Sequence, residues 1–202
     1  LPHQRLIDIS NLPNSIERFA QSNRLASRLT QAGYVRIGLD HFAHPDDPLA
    51  KSSARRNFQG YTNDQTGALI GLGASAISKL PQGYAQNQTA VANYSRSIDE
   101  TGFATARGHA LTQDDKMRAF VIEQLMCDLA FSSRALVSQF GNDAIPMIQV
   151  ARELVESDSD GLLKTTQDGF EVSPRGRPFV RSVAACFDAY LDQSKVQFSS
   201  GV

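Results

Sequence analysis

The sequence predicts an α/β fold in two parts: alternating helix and strand up to about residue 106, then a mainly helical, winged-helix-like domain. Three observations predict it. An apolar periodicity of helical spacing closes at Gly33 and feeds directly into the apolar run 34–42, the αβ half of an α/β unit, whose natural context is a parallel sheet. Four polar, glycine-bearing runs, each leaning on an apolar strand-like run, fall between Gly33 and Asn87. From about Leu111 the pattern changes to three helices, a hairpin and a last helix.

The elements follow in order. Residues 1–12 form a short lead-in ending near Pro13. Asn14-Ser15 offers an N-cap, with Glu17 in the first turn where the helix dipole favours negative charge. Ile16, Phe19, Leu25, Leu29 and Ala32 supply the apolar spacing, and Gly33 is placed to end the helix. A strand over 34–42 is followed by the turn-rich His44-Pro45-Asp46-Asp47-Pro48. Residues 58–61 read as a short strand, and 69–77 as another, with small residues that let a backbone or a ligand approach closely. Pro81-Gln82-Gly83 turns the chain into 84–87, and a surface helix over 88–101 ends at Gly102. Thr112 before Asp114-Asp115 starts an apolar helix to about Ala130, followed by helices over 132–140 and 144–155. The runs 162–164 and 170–172 form a hairpin about Gln167-Asp168-Gly169. A last helix is expected over 174–193, with Pro178 at its start or at a kink, and the tail after Ser194 is expected to fray.

Composition narrows the function. Lys+Arg 20 against Asp+Glu 21 leaves a net charge of −1, which gives no bulk case for nucleic acid, and residues 107–202 hold 10 basic against 13 acidic residues. No apolar run approaches the roughly 20 residues of a membrane helix, so no membrane insertion and a cytoplasmic location are expected. The chain begins at Leu1 rather than Met and reads as an excised piece of something longer. Cys127 and Cys186 sit in apolar runs and read as small buried hydrophobes without a disulfide. Four histidines, of which only His41 and His44 are close in sequence, are too few ligands for a metal site.

Two groups of side chains could carry chemistry. Asp40-His41 puts a carboxylate beside an imidazole at a strand end, suited to proton transfer or substrate binding. Adjacent strand residues point to opposite faces, however, so the pair need not share a site and is equally served by structural hydrogen bonding. Arg55, Arg56 and Arg107 could pair with carboxylates or simply be surface charges. Gly71-Leu72-Gly73 lacks the third glycine of a dinucleotide fingerprint.

Four runs in order, Ile37-Gly38-Leu39-Asp40-His41-Phe42-Ala43, Arg56-Asn57-Phe58-Gln59-Gly60-Tyr61-Thr62, Gly71-Leu72-Gly73-Ala74-Ser75-Ala76-Ile77-Ser78 and Tyr84-Ala85-Gln86-Asn87, resemble the oxygen-independent coproporphyrinogen III oxidases of the radical S-adenosylmethionine class. The likeness continues through Arg107-Gly108, Asp114-Asp115, Leu125-Met126-Cys127 and Cys186-Phe187-Asp188, and reaches only the C-terminal half of such an enzyme. The chain departs from the family at 51–55, where relatives carry a few more residues.

The resemblance implies that residues 1–106 are the last elements of a radical S-adenosylmethionine α/β partial barrel and that 107–202 cover its open face. It implies a cytoplasmic enzyme of haem biosynthesis that converts two propionates of coproporphyrinogen III to vinyls, giving protoporphyrinogen IX. S-adenosyl-L-methionine and a [4Fe–4S] cluster supply a radical that takes a hydrogen from the propionate β-carbon, and a reduced electron donor serves the cluster. The cluster's three closely spaced cysteines would lie outside this chain, which alone is expected to be inactive. Phe58, Gln59 and Ile77 match positions that line the pocket for S-adenosylmethionine or the adjoining substrate; Asp40, His41 and Arg56 are further candidates for the substrate pocket. A haem-chaperone-type relative and a winged-helix nucleic-acid binder are the alternatives.

Overall fold

A computed structural model describes residue 8 and residues 11–191; most of the predicted lead-in, and the tail predicted to fray, lie outside the described residues. Helix α1 (Ser15–Gln31) starts in a capping box: the Asn14 side chain accepts from the Glu17 N–H at 3.0 Å, and the Glu17 carboxylate accepts from the Asn14 N–H at 2.8 Å. It ends as the sequence predicts. Gly33, at φ +89°, lets Tyr34 N–H reach the Leu29 carbonyl and its own N–H reach that of Thr30.

The predicted single strand over 34–42 is instead a hairpin. Strands β1 (Val35–Ile37) and β2 (His41–Ala43) pair antiparallel, Val35 opposite Ala43 and Ile37 opposite His41. Gly38, at φ +48°, breaks the run, and a Cβ there would collide with the Tyr61 ring. A turn this short can only reverse the chain, because a parallel neighbour needs a crossover of about a dozen residues. Every strand pair among the described residues is antiparallel, so the parallel sheet expected from the helix–strand order is not found in them.

Asp47 caps the short helix α2 (Pro48–Lys51). The expected strand over 58–61 is again a turn, lying between β3 (Arg55–Arg56) and β4 (Tyr61–Thr62). The Asn57 carboxamide oxygen accepts from the N–H groups of Gln59 and Gly60, and so bends the chain where a ladder would have formed. Most of 69–77 is loop, because its backbone is claimed by side chains. Asn87 donates to the carbonyls of Gly71 and Gly73, and the Tyr94 hydroxyl accepts from Gly73 N–H. The strand comes later, as β5 (Ile77–Leu80), and pairs with β6 (Gly83–Asn87). Helix α3 (Val91–Thr101), closed by Gly102, leads to the edge strand β7 (Thr105–Ala110), which runs across residues 106 and 107.

A second capping box, Thr112 with Asp115, opens α4 (Gln113–Asp128). Then follow β8 (Ala130–Ser132), α5 (Ser133–Phe140), α6 (Ile145–Ser157), β9 (Leu163–Thr166) and β10 (Gly169–Val172), with sheet order β8-β10-β9. The third strand, β8, makes the winged-helix likeness closer than the predicted hairpin did. The last helix is far shorter than the expected 174–193: Pro178 sits in a 3₁₀ turn (Arg177–Phe179), and only α7 (Val180–Ala185) is α-helical.

The core lies in this second part. Val121, Leu125, Leu136, Phe170, Val180 and Phe187 are essentially fully buried, each worth about 1.5–3 kcal/mol of transfer. Of the first part, Leu39 joins that core, whereas no α1 residue is buried. In hydrogen exchange, amides of α4 and β10 should therefore outlast those of residues 34–78. Equal protection would mean that 34–78 hold together without the core of the helical module.

Candidate functional site

The turn between β1 and β2 cannot satisfy its own backbone; two distant side chains, with Arg36 of β1, do so. Tyr61 on β4 accepts from the Leu39 N–H at 2.9 Å and donates to the Met126 carbonyl on α4 at 2.6 Å. Arg177 Nε donates to the Gly38 carbonyl at 2.9 Å, and Arg36 reaches the Leu39 carbonyl at 2.9 Å. Burial raises the Tyr61 hydroxyl above its usual pKa, against the opposing pull of its bond from Leu39 and of Arg56. Burial, reinforced by the neighbouring Arg36, pushes Arg177 down to about 10, which leaves it charged at neutral pH.

Three of the candidates, Asp40, His41 and Arg56, lie around Tyr61. His41 Nδ1 lies 2.9 Å from an Asp40 carboxylate oxygen, so the two share one site. The expectation that they need not meet fails because Asp40 is a turn residue, outside β2, and strand alternation does not apply to it. The His41 ring packs edge-on against Tyr61 at 4.8 Å and over Gly60, where a Cβ would stand 3.1 Å from Nε2. The Arg56 guanidinium lies 5.0 Å from the centre of the Tyr61 ring.

Phe58 and Gln59 project from the β3–β4 turn. Phe58 is 53% exposed, so it is not a core residue, and its ring meets Tyr84 edge-on at 5.6 Å. Gln59 is exposed, its backbone held by Asn57. Ile77 is half-buried on β5 opposite Gln86, in a different sheet from Phe58 and Gln59. Of the other arginines, Arg55 pairs with Glu123 at 3.5 Å, while Arg107 donates to Gln86 rather than to a carboxylate. Tyr61 and Arg177 were not singled out as site residues. Tyr61 stood inside the run 56–62, but nothing in the sequence signals that Arg177 reaches Gly38.

The donor set does not fit an iron–sulfur cluster. The sequence holds two cysteines, and no group of three His, Cys, Asp or Glu side chains among the described residues could hold a metal. Cys127 is half-buried, its thiol pushed up to about 12 by burial and by Glu123 and Asp128. Cys186, expected to be buried, is exposed because α7 ends before it.

Residues 111–179 match the family model of the HemN C-terminal domain, which covers α4 through the 3₁₀ turn. Beyond that module, the chain resembles the C-terminal half of the oxygen-independent coproporphyrinogen III oxidases along nearly its whole length. It is 44% identical to that of Bradyrhizobium diazoefficiens over 99% of this chain and 45% of the relative. It is 39% identical to that of Salmonella typhimurium over 94% of this chain and 43% of the relative. The solved coproporphyrinogen III oxidase (HemN) of Escherichia coli, described as a radical SAM enzyme, superposes with a TM-score of 0.85. That structure is 37% identical and is matched over 95% of this chain and 46% of its own. The chain thus spans less than half the length of these relatives.

Tyr61→Phe removes the partner of both Leu39 N–H and the Met126 carbonyl and should cost about 1–3 kcal/mol in denaturant unfolding. It should also flatten the alkaline limb. A phenol whose folded pKa is raised contributes stability that is complete below the unfolded value near 10 and is lost as pH climbs toward the folded one. Wild-type stability should therefore fall more steeply above that pH than the variant's.

Proposed function

We propose that the chain is the C-terminal part of an oxygen-independent coproporphyrinogen III oxidase acting in haem biosynthesis in the cytoplasm. The observation that carries this is similarity along 99% of the chain, including the run 56–62, to a protein of that activity. In this reading residues 1–106 are the last elements of a barrel and 107–202 its cover. Two propionates of coproporphyrinogen III become vinyl groups, each losing carbon dioxide, one hydrogen atom and one electron. S-adenosylmethionine and a [4Fe–4S] cluster, when bound, supply the one-electron chemistry. The cluster's ligands lie outside this chain, and its electrons come from a reduced donor. No helix among the described residues is long and apolar enough to cross a membrane.

The part assigned to this chain is to position reactants and keep water out. Phe58 and Ile77 offer apolar wall, and the Gln59 carboxamide can donate and accept at once toward the polar edge of S-adenosylmethionine or the substrate. Asp40 with His41 could serve proton transfer or substrate binding, and Arg56 could pair with a carboxylate of the substrate. The exposure of Phe58 and Gln59 supports a surface waiting for a ligand or a neighbouring element. The same relatives favour this reading over a haem chaperone or a nucleic-acid binder.

In the complete protein, Gln59→Ala should lower product formation by roughly 5- to 150-fold, the effect of one polar bond lost in a partly dry pocket. Its melting temperature and cluster content should stay the same. Ile77→Ala should lower both activity and melting temperature, because the side chain is half-buried. Early melting of Gln59→Ala, with activity lost only in proportion to unfolded protein, would make Gln59 a structural residue.

A further inference from the structure

A second cleft, of about 470 Å³, opens where the first part of the chain meets α4, a volume suited to a small-molecule ligand. One wall is a single face of α4, on which Lys116, Phe120 and Glu123 follow one another at helical spacing. The opposite wall is β5–β6, where Lys79 and Tyr84 are direct cross-strand partners, and Arg56 closes one end.

The charges here are unbalanced. Glu123 is the only carboxylate lining the cleft among the described residues, and it is engaged by Arg55 at 3.5 Å and by the Arg56 N–H at 3.3 Å. Among the described residues, no hydrogen bond or ion pair engages the ammonium of Lys79 or of Lys116, or the Arg56 guanidinium, which lies over the Tyr61 ring. Both lysines are half-buried, which sets them apart from ordinary surface lysines. Two ammonium groups and a guanidinium, all free to pair, stand around the apolar faces of Tyr84 and Phe120. That combination fits an apolar body carrying carboxylates at its rim.

We infer that this cleft anchors tetrapyrrole carboxylates that the reaction leaves intact. The inference rests on the oxidase reading and deepens it. Four propionates enter and two leave unchanged, so a substrate that must present two side chains for reaction can be held by the others. Amines and a guanidinium suit that task, because they bind carboxylate without taking part in hydrogen abstraction. The position is also right: Arg56 is two residues from Phe58, and Tyr84 touches the Phe58 ring while lining the cleft.

The test is fluorescence titration of the complete protein with coproporphyrin III, protoporphyrin IX and coproporphyrin tetramethyl ester. Lys79→Ala with Lys116→Ala should weaken both free acids by roughly tenfold or more and leave the ester unchanged. Lys79→Arg should keep wild-type affinity, and Lys79→Glu should bind more weakly than Lys79→Ala, which separates charge from packing. Unchanged affinity for the free acids would overturn the assignment, as would equal loss for the ester or equally strong displacement of the porphyrin by inorganic pyrophosphate. The outcome is independent of turnover. A protein that forms no vinyl product but loses porphyrin affinity on charge removal keeps the subsite and loses the oxidase reading. A protein that turns over, with lysine variants binding as wild type, keeps the oxidase reading and loses the subsite.

Discussion

The peptide 38–39 is where the two parts of this molecule depend on each other. A tight turn leaves its carbonyls and N–H groups without ladder partners, and burying them unpaired would cost about 1–3 kcal/mol apiece. Here the Gly38 carbonyl is taken by Arg177, the Leu39 N–H by Tyr61 and the Leu39 carbonyl by Arg36. Leu39 itself enters the core of the helical module. Tyr61 matters most, because its one hydroxyl receives a bond from the turn and gives one to Met126 on α4. Hairpin, turn and helix therefore share a single atom.

The site follows from that arrangement. Asp40 lies in the anchored turn and His41 directly follows it, resting on Tyr61 and Gly60. Phe58 and Gln59 sit on the hairpin whose strand β4 carries Tyr61, and Arg56 faces the same ring. Glu123 adds a second tie by accepting from the Arg56 backbone. The helical module thus holds the first part in place. It supplies the carbonyl, guanidinium and carboxylate that set where the polar runs stand, and its core makes up for the slight burial in α1 and β7.

Much of the fold was legible in the sequence where local chemistry decides it. The capping residues Asn14, Glu17, Thr112 and Asp115, the closing Gly33 and Gly102, and the three helices α4, α5 and α6 all act through neighbours a few residues away. The misreadings lie where a distant side chain outbids local propensity. Residues 34–42 look continuous until Tyr61 occupies the space where a Cβ at position 38 would go. Residues 69–77 alternate like a strand, but Asn87 and Tyr94 take their backbone groups. At the candidate site the run 56–62 forms one hairpin, β3–β4. The meeting of Asp40 with His41 was hidden by reading 34–42 as one continuous strand, and the part played by Arg177, 139 residues from Gly38, has no local signature.

A double-mutant cycle on unfolding free energy, with Tyr61→Phe and Arg177→Met alone and combined, tests most directly whether the turn is held as one unit. If both side chains secure the same peptide, losing either loosens the target of the other, and the double variant should be less destabilised than the sum by about 0.5–3 kcal/mol. Strict additivity would mean that the two bonds act independently, and would contradict the view that a shared junction sets the position of the site.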